Sequence, residues 1–206
     1  MKQRIQNYLS EQGINDICVD DILSKAQILS IIFHQADISQ VSCEKVIVNQ
    51  SITLSDENTP KRLYALCDSV FERVSGDCLS LFLKIDEKIV CLSHIGRPAL
   101  CSEMAVNHNT ASQHLAARVA LSAWFNQVEN SDEWVKSGEL SPDFYPENVG
   151  VWALPICRDT GGVLGVLYGE HAAQNMRSSE HWQWTIALAT VVAEILHNIQ
   201  QDIQAA

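Results

Sequence analysis

The chain has 206 residues, 47% of them hydrophobic and 19% charged, a balance that supports a buried core rather than a disordered chain. Its formal net charge is −11, so the surface repels phosphate backbones and anionic lipid, and direct binding of nucleic acid or a membrane surface is not expected. The seven cysteines are scattered, with no Cys-x-x-Cys pair, which argues against a zinc ribbon or a thioredoxin-like motif and points to reduced thiols in the cytoplasm.

The first 57 residues read as a mainly helical extension. Between Asp21 and Ala36, the residues Ile22, Ala26, Leu29 and Phe33 share one helical face. The stretch Glu44 to Leu54 is open between a helix and a short hairpin, and Ser55 to Asn58 reads as a linker. Thr59 followed by Pro60 starts the next helix, because proline at the first helical position needs no amide partner. Leu63, Leu66, Cys67, Val70, Phe71 and Val74 form its apolar stripe, and Gly76 ends it.

Two strands follow. Leu79, Leu81, Leu83 and Ile85 alternate onto one face of the first. Asp86-Glu87 turns the chain into Lys88 to Ile95, where alternation puts Ile89, Cys91, Ser93 and Ile95 together. Residues 96–111 read as irregular, 112–124 as a helix, 125–128 as a short extended piece, and 129–150 as a long loop with one helical turn at Trp134. Val151 to Arg158 and Val163 to Tyr168 are strands joined by a glycine turn. Gly165 inside the second of these strands implies close approach of another segment or a ligand, close packing by the last helix being the plainer version.

The last helix begins at Ser178 or Ser179, with a stripe of Trp184, Leu188, Val192, Ile195, Ile199 and Ile203. Its longest uncharged stretch, His181 to Ala193, is 13 residues, short of the roughly 20 needed to span a bilayer. The expectation is that Trp184 to Val192 covers the sheet while Ile195 to Ile203 projects to pair with a second copy. Hairpin-paired strands with helices at both ends predict an α+β fold, an antiparallel sheet with helices packed on one face.

The segment Val151-Trp-Ala-Leu-Pro-Ile-Cys-Arg-Asp-Thr-Gly-Gly-Val-Leu-Gly-Val-Leu-Tyr-Gly resembles the closing hairpin of GAF domains, and His114 to Val128 resembles the family's short helix and following strand. The resemblance covers about 140 of the 206 residues, so residues 58–206 are expected to form the GAF-like domain. It implies a regulatory module that binds a small molecule or anion and signals as a homodimer through its C-terminal helix. A few family members are instead free methionine sulfoxide reductases with cysteines in loops over the pocket. No cofactor is named by these residues.

A pocket in such a domain is expected between the sheet and the segments 96–111 and 129–150, lined by His94, Arg97, Cys101, His108, Trp134, Trp152 and Tyr168. Arg97, between glycine and proline past a strand end, suits a carboxylate or small anion; the plainer role is a surface ion pair. Cys101 is the candidate thiol for a redox enzyme, on the expectation that Arg97 favours its thiolate. His114 and Arg118, four apart, share a helix face; the pair suits an anion site, the plainer reading being a solvated polar face. The seven histidines show no two-histidine metal spacing with a third ligand, so no metal site is expected. A third possibility is a scaffold that binds no ligand and fills the pocket with its own tryptophans.

Overall fold

The computed structural model describes residues 1–41, 52, 54, 56–74, 76–97, 101–145, 149–158, 161–172 and 178–205. The segment read as helix or hairpin therefore lies outside the described residues apart from Ile52 and Leu54, as do Pro98 and residues 159–160 of the hairpin turn. The helices are α1 (Lys2–Glu11), α2 (Val19–Gln35), α3 (Thr59–Val74), α4 (His108–Ala111), α5 (Leu115–Ser122), α6 (Ser131–Lys136) and α7 (Ser179–Ala205). The strands are β1 (Cys78–Ile85), β2 (Lys88–Gly96), β3 (Glu103–Ala105), β4 (Asn126–Val128), β5 (Val149–Cys157) and β6 (Val163–Ala172).

The strands form one sheet in the order β3-β2-β1-β6-β5-β4, with every pairing antiparallel. Each strand alternates between two cores, because successive side chains point to opposite faces. Leu79, Leu81 and Leu83 of β1 meet Trp152, Leu154 and Ile156 of β5 beneath α3 and α7. Ile5 and Leu9 of α1 and Ile22, Ala26 and Leu29 of α2 belong to this same core. On the second face, Phe82, Ile89, Cys91, Val151, Ala153 and Val166 pack against α5 and the segment that carries Leu140 and Tyr145. Among the described residues no helix is long and apolar enough to cross a membrane.

Two expectations change. A β-bulge interrupts β2, since Leu81 pairs with Ser93 while Phe82 pairs with Cys91, leaving Leu92 as the extra residue. Ile89 and Cys91 therefore face the second core, whereas Leu92 and Ile95 face the helical one; one added residue flips everything after it. The second half of α7 does not project, either. Leu196 and Ile199 are buried, and the Gln200 amide donates to the backbone carbonyls of Lys84 and Leu164. The helix stays on the sheet almost to its end.

Gly165 lies close against both β1 and α7. A Cβ there would stand 2.2 Å from the Phe82 carbonyl oxygen and 2.7 Å from Leu196 Cδ1. The close approach is made by the neighbouring strand β1 and, next, by the last helix.

Candidate functional site

The second face carries a polar cluster built by three strands and one helix start. Cys78, Ser80 and Phe82 of β1, His94 of β2 and Tyr168 and Glu170 of β6 surround a cavity of about 10 Å³, closed by His114 at the start of α5. That is the space of about one water molecule. The bulge in β2 is what turns His94 toward this face: Ser80 and His94 stand opposite each other, and Ser80 Oγ lies 2.8 Å from His94 Nδ1. His94 Nε2 donates to the Arg97 carbonyl oxygen, so Nδ1 accepts from the serine hydroxyl. Burial lowers the His94 pKa, against the opposing pull of that carbonyl and of Glu170.

Gly96 allows the chain to double back here. Its φ is +96°, and a Cβ would meet the Asp77 carbonyl oxygen at 2.2 Å, so only glycine fits. The Arg97 amide then donates to Asp77 O at 3.1 Å, and the side chain swings over the end of β6. Arg97 Nη2 donates to Glu170 Oε2 at 2.6 Å, and Tyr168 Oη donates to Glu170 Oε1 at 2.7 Å. Glu170 is 3% exposed; its buried charge is held by these two bonds, as a buried carboxylate must be. Burial raises the Tyr168 hydroxyl well above its usual pKa, and nearby Tyr145 and Glu170 raise it further.

His114 is the residue that sequence reasoning placed wrongly. It caps α5 rather than riding on it: Nδ1 accepts from the Ala116 amide at 3.2 Å, and the Leu115 amide donates to Tyr145 Oη at 2.7 Å. Its ring is 1% exposed and lies among Phe144, Tyr145 and Tyr168. Burial lowers its pKa to about 3, so the ring is neutral, and an accepting Nδ1 puts the proton on Nε2. That Nε2–H is buried without a hydrogen-bond partner. Arg118, read as its solvated neighbour, donates instead to the Ala111 and Glu139 carbonyls and stacks on Trp134.

Of the seven residues expected to line a pocket, His94, Arg97 and Tyr168 come together at this cluster. The other four stand elsewhere. Trp152 points into the helical core, its indole over Gly169 and against His181 and Trp182. His108 is exposed at the first position of α4. Trp134 is half-buried in α6 beneath Arg118. Cys101 is half-buried against the second core, and burial pushes its thiol pKa up; the guanidinium expected to favour its thiolate is bonded to Glu170. Glu170 and Ser80 were missed. Glu170 was within reach of the same alternation had the strand been read two residues past Tyr168. Among the described residues, no group of three or more His, Cys, Asp or Glu side chains is placed to hold a metal ion.

No family model matches the sequence, and no curated protein matches it. Solved structures do match the fold. The GAF domain of an Acinetobacter phosphoenolpyruvate-protein phosphotransferase superposes with a TM-score of 0.59 at 13% identity, covering 85% of this chain and 92% of that one. The corresponding domain from Coxiella burnetii gives 0.55 at 15% identity, covering 86% and 96%. A free methionine-R-sulfoxide reductase from Neisseria meningitidis, solved with its substrate, gives 0.54 at 15% identity, covering 88% and 89%. The fold is thus shared by GAF domains and by a free methionine-R-sulfoxide reductase. The antiparallel order β3-β2-β1-β6-β5-β4, flanked by long helices on one face and short ones on the other, is a GAF-like α+β fold.

Proposed function

We infer that the chain is a cytoplasmic regulatory module that binds a small acceptor-bearing molecule or anion on the second face of its sheet. The observation that carries this reading is the buried, neutral His114 ring, which lines the cavity and whose Nε2–H has no partner. An unsatisfied buried donor costs about 1–3 kcal/mol, and a ligand carbonyl or carboxylate oxygen would recover it. Arg97 Nε, also buried and unpaired, is a second donor of the same kind. Both call for an acceptor. Arg97 and His94 are the half-exposed members of the cluster, so a ligand would enter past them and loosen the Arg97–Glu170 pair. The signal would pass to the terminal helices of a homodimer.

Native mass spectrometry on freshly purified protein tests this. The expected result is a small added mass, released on denaturation and absent from His114→Asn, whose oxygen keeps the helix cap while its shorter side chain leaves no donor at the position of Nε2. Bare protein in the wild type, with no ligand that raises the melting temperature, overturns it. That result would favour the reading of a ligand-free scaffold, which the roughly 10 Å³ of free space already supports.

A further inference from the structure

A larger cavity, of about 330 Å³, lies on the helical side of the sheet, between α1, the end of β5 and α7. This is the size of a small-molecule site, and it owes nothing to the cluster around His114. Its origin is visible in the pairing of β5. Strand β4 pairs only with residues 151–153, so among the described residues the edge of β5 beyond Ala153 has no strand beside it. Helix α1 takes that place. Tyr8 Oη donates to the Pro155 carbonyl at 2.7 Å, and Arg4 Nη2 reaches the Cys157 carbonyl at 3.5 Å. A helix meets an edge through side chains, at greater distance than a strand would, and α7 faces it with the short side chains of Ala189, Thr190 and Ala193.

The lining divides by chemistry. Ile5, Ile156, Ala189 and Ala193 make an apolar floor, and Arg4, Arg158 and Glu11 stand in its walls. Two guanidinium groups against one carboxylate reverse the sign of charge that prevails over a chain of net −11. Arg158 is exposed, and its Nη2 donates to Gln200 Oε1 at 2.6 Å. That bond holds one arm of the planar guanidinium, whose fork of donors suits a carboxylate.

We propose that this groove is a second ligand site, for a small amphiphilic carboxylate whose apolar body lies on Ile5, Ile156 and Ala189 and whose charge meets Arg158. Such a ligand would bind α1 to the sheet and so give the N-terminal segment a role in ligand recognition. Neutral and cationic analogues of the same length lack the charge that Arg158 reads.

The test is isothermal titration of the full chain with hexanoate, 1-hexanol and hexylammonium. Hexanoate should bind saturably, one per chain, with the other two at least tenfold weaker. Arg158→Gln should weaken hexanoate about tenfold, the loss expected for a charge-assisted hydrogen bond. Asn7→Trp, which adds bulk to a lining position on the exposed side of α1, should abolish saturable binding while leaving the melting temperature near that of the wild type. Equal affinities for hexanoate and hexanol would overturn the proposal. So would an absence of saturable hexanoate binding, or affinity that survives Asn7→Trp.

Discussion

Arg97 Nη2 and Glu170 Oε2 stand 2.6 Å apart, joining a side chain that is 39% exposed to one that is 4% exposed. The pair locks the turn after β2 to the end of β6. Its energetics are asymmetric, because only the carboxylate is fully removed from water. Losing the guanidinium would leave Glu170 with Tyr168 alone, and breaking a buried pair from one side costs 3–5 kcal/mol when both charges are buried. Solvent at the arginine reduces that here. Arg97→Met is expected to cost about 2 kcal/mol in urea denaturation. Adding Glu170→Gln to it should recover most of the loss. A coupling energy near zero in that double-mutant cycle would mean the pair contributes only geometry.

His114 predicts a pH dependence with a defined sign. Its unfolded pKa is near 6.5 and its folded value about 3, so between these limits the unfolded chain binds more protons. Stability therefore rises with pH across the window and is lost as pH falls from 6.5 toward 3. The expected loss between pH 7 and pH 5 is about 2 kcal/mol. His94, whose pKa is also lowered by burial, adds to the same slope. His114→Asn should remove most of the dependence in denaturation curves taken at the two values. A slope unchanged by that substitution would place the proton uptake elsewhere.

The strands whose periodicity is unbroken were legible, and the positions set by single irregularities were not. Leu79, Leu81 and Leu83 fall on one face as alternation requires. Past Cys91, alternation fails because Leu92 is a bulge residue, and nothing in Lys88 to Ile95 marks it. His94 and Ile95 nonetheless fall on opposite faces as alternation requires, because both lie beyond the bulge. His114 was misread because the helix was started at 112. Helix α5 begins at Leu115, and that three-residue difference turns a solvated side chain into a buried cap. In the last helix the stripe was legible, but its buried extent was not. Gln200, a polar residue, anchors the final turns through the Lys84 and Leu164 carbonyls, a bond that hydrophobic spacing does not register.

Gly165→Ala tests the close packing of β6 against β1 and α7. The added methyl would meet the Phe82 carbonyl at 2.2 Å, and a backbone atom in a paired strand cannot rotate aside. Overpacking of this kind costs about 1–3 kcal/mol. The upper end is expected, because Leu196 presses on the same point. Pairing it with Leu196→Ala should relieve only part of the cost. Full recovery in the double variant would show that the side chain, and not the carbonyl, sets the limit.

Gln12 ties the N-terminal segment to the start of β4. Its Nε2 donates to Ala123 O at 3.1 Å, and its Oε1 accepts from the Phe125 amide at 2.6 Å. The first of these partners, Ala123, holds a left-handed φ of 60°, which an alanine adopts at a cost of about 1–2 kcal/mol. The glutamine amide thus pairs with the carbonyl of the strained residue and with the amide two residues on, as a neighbouring strand would. Gln12→Ala should accelerate hydrogen exchange at the Phe125 amide and destabilise the fold by about 1 kcal/mol. Ala123→Gly should raise stability by several tenths of a kcal/mol or more, since the relief of strain outweighs the added freedom of the unfolded glycine. If α1 reports ligand binding to the rest of the chain, Gln12 is its link to α5 and hence to His114 at the other end of that helix. Exchange at Phe125 that is indifferent to Gln12→Ala would remove that link, and with it the case that the first helix senses the second face of the sheet.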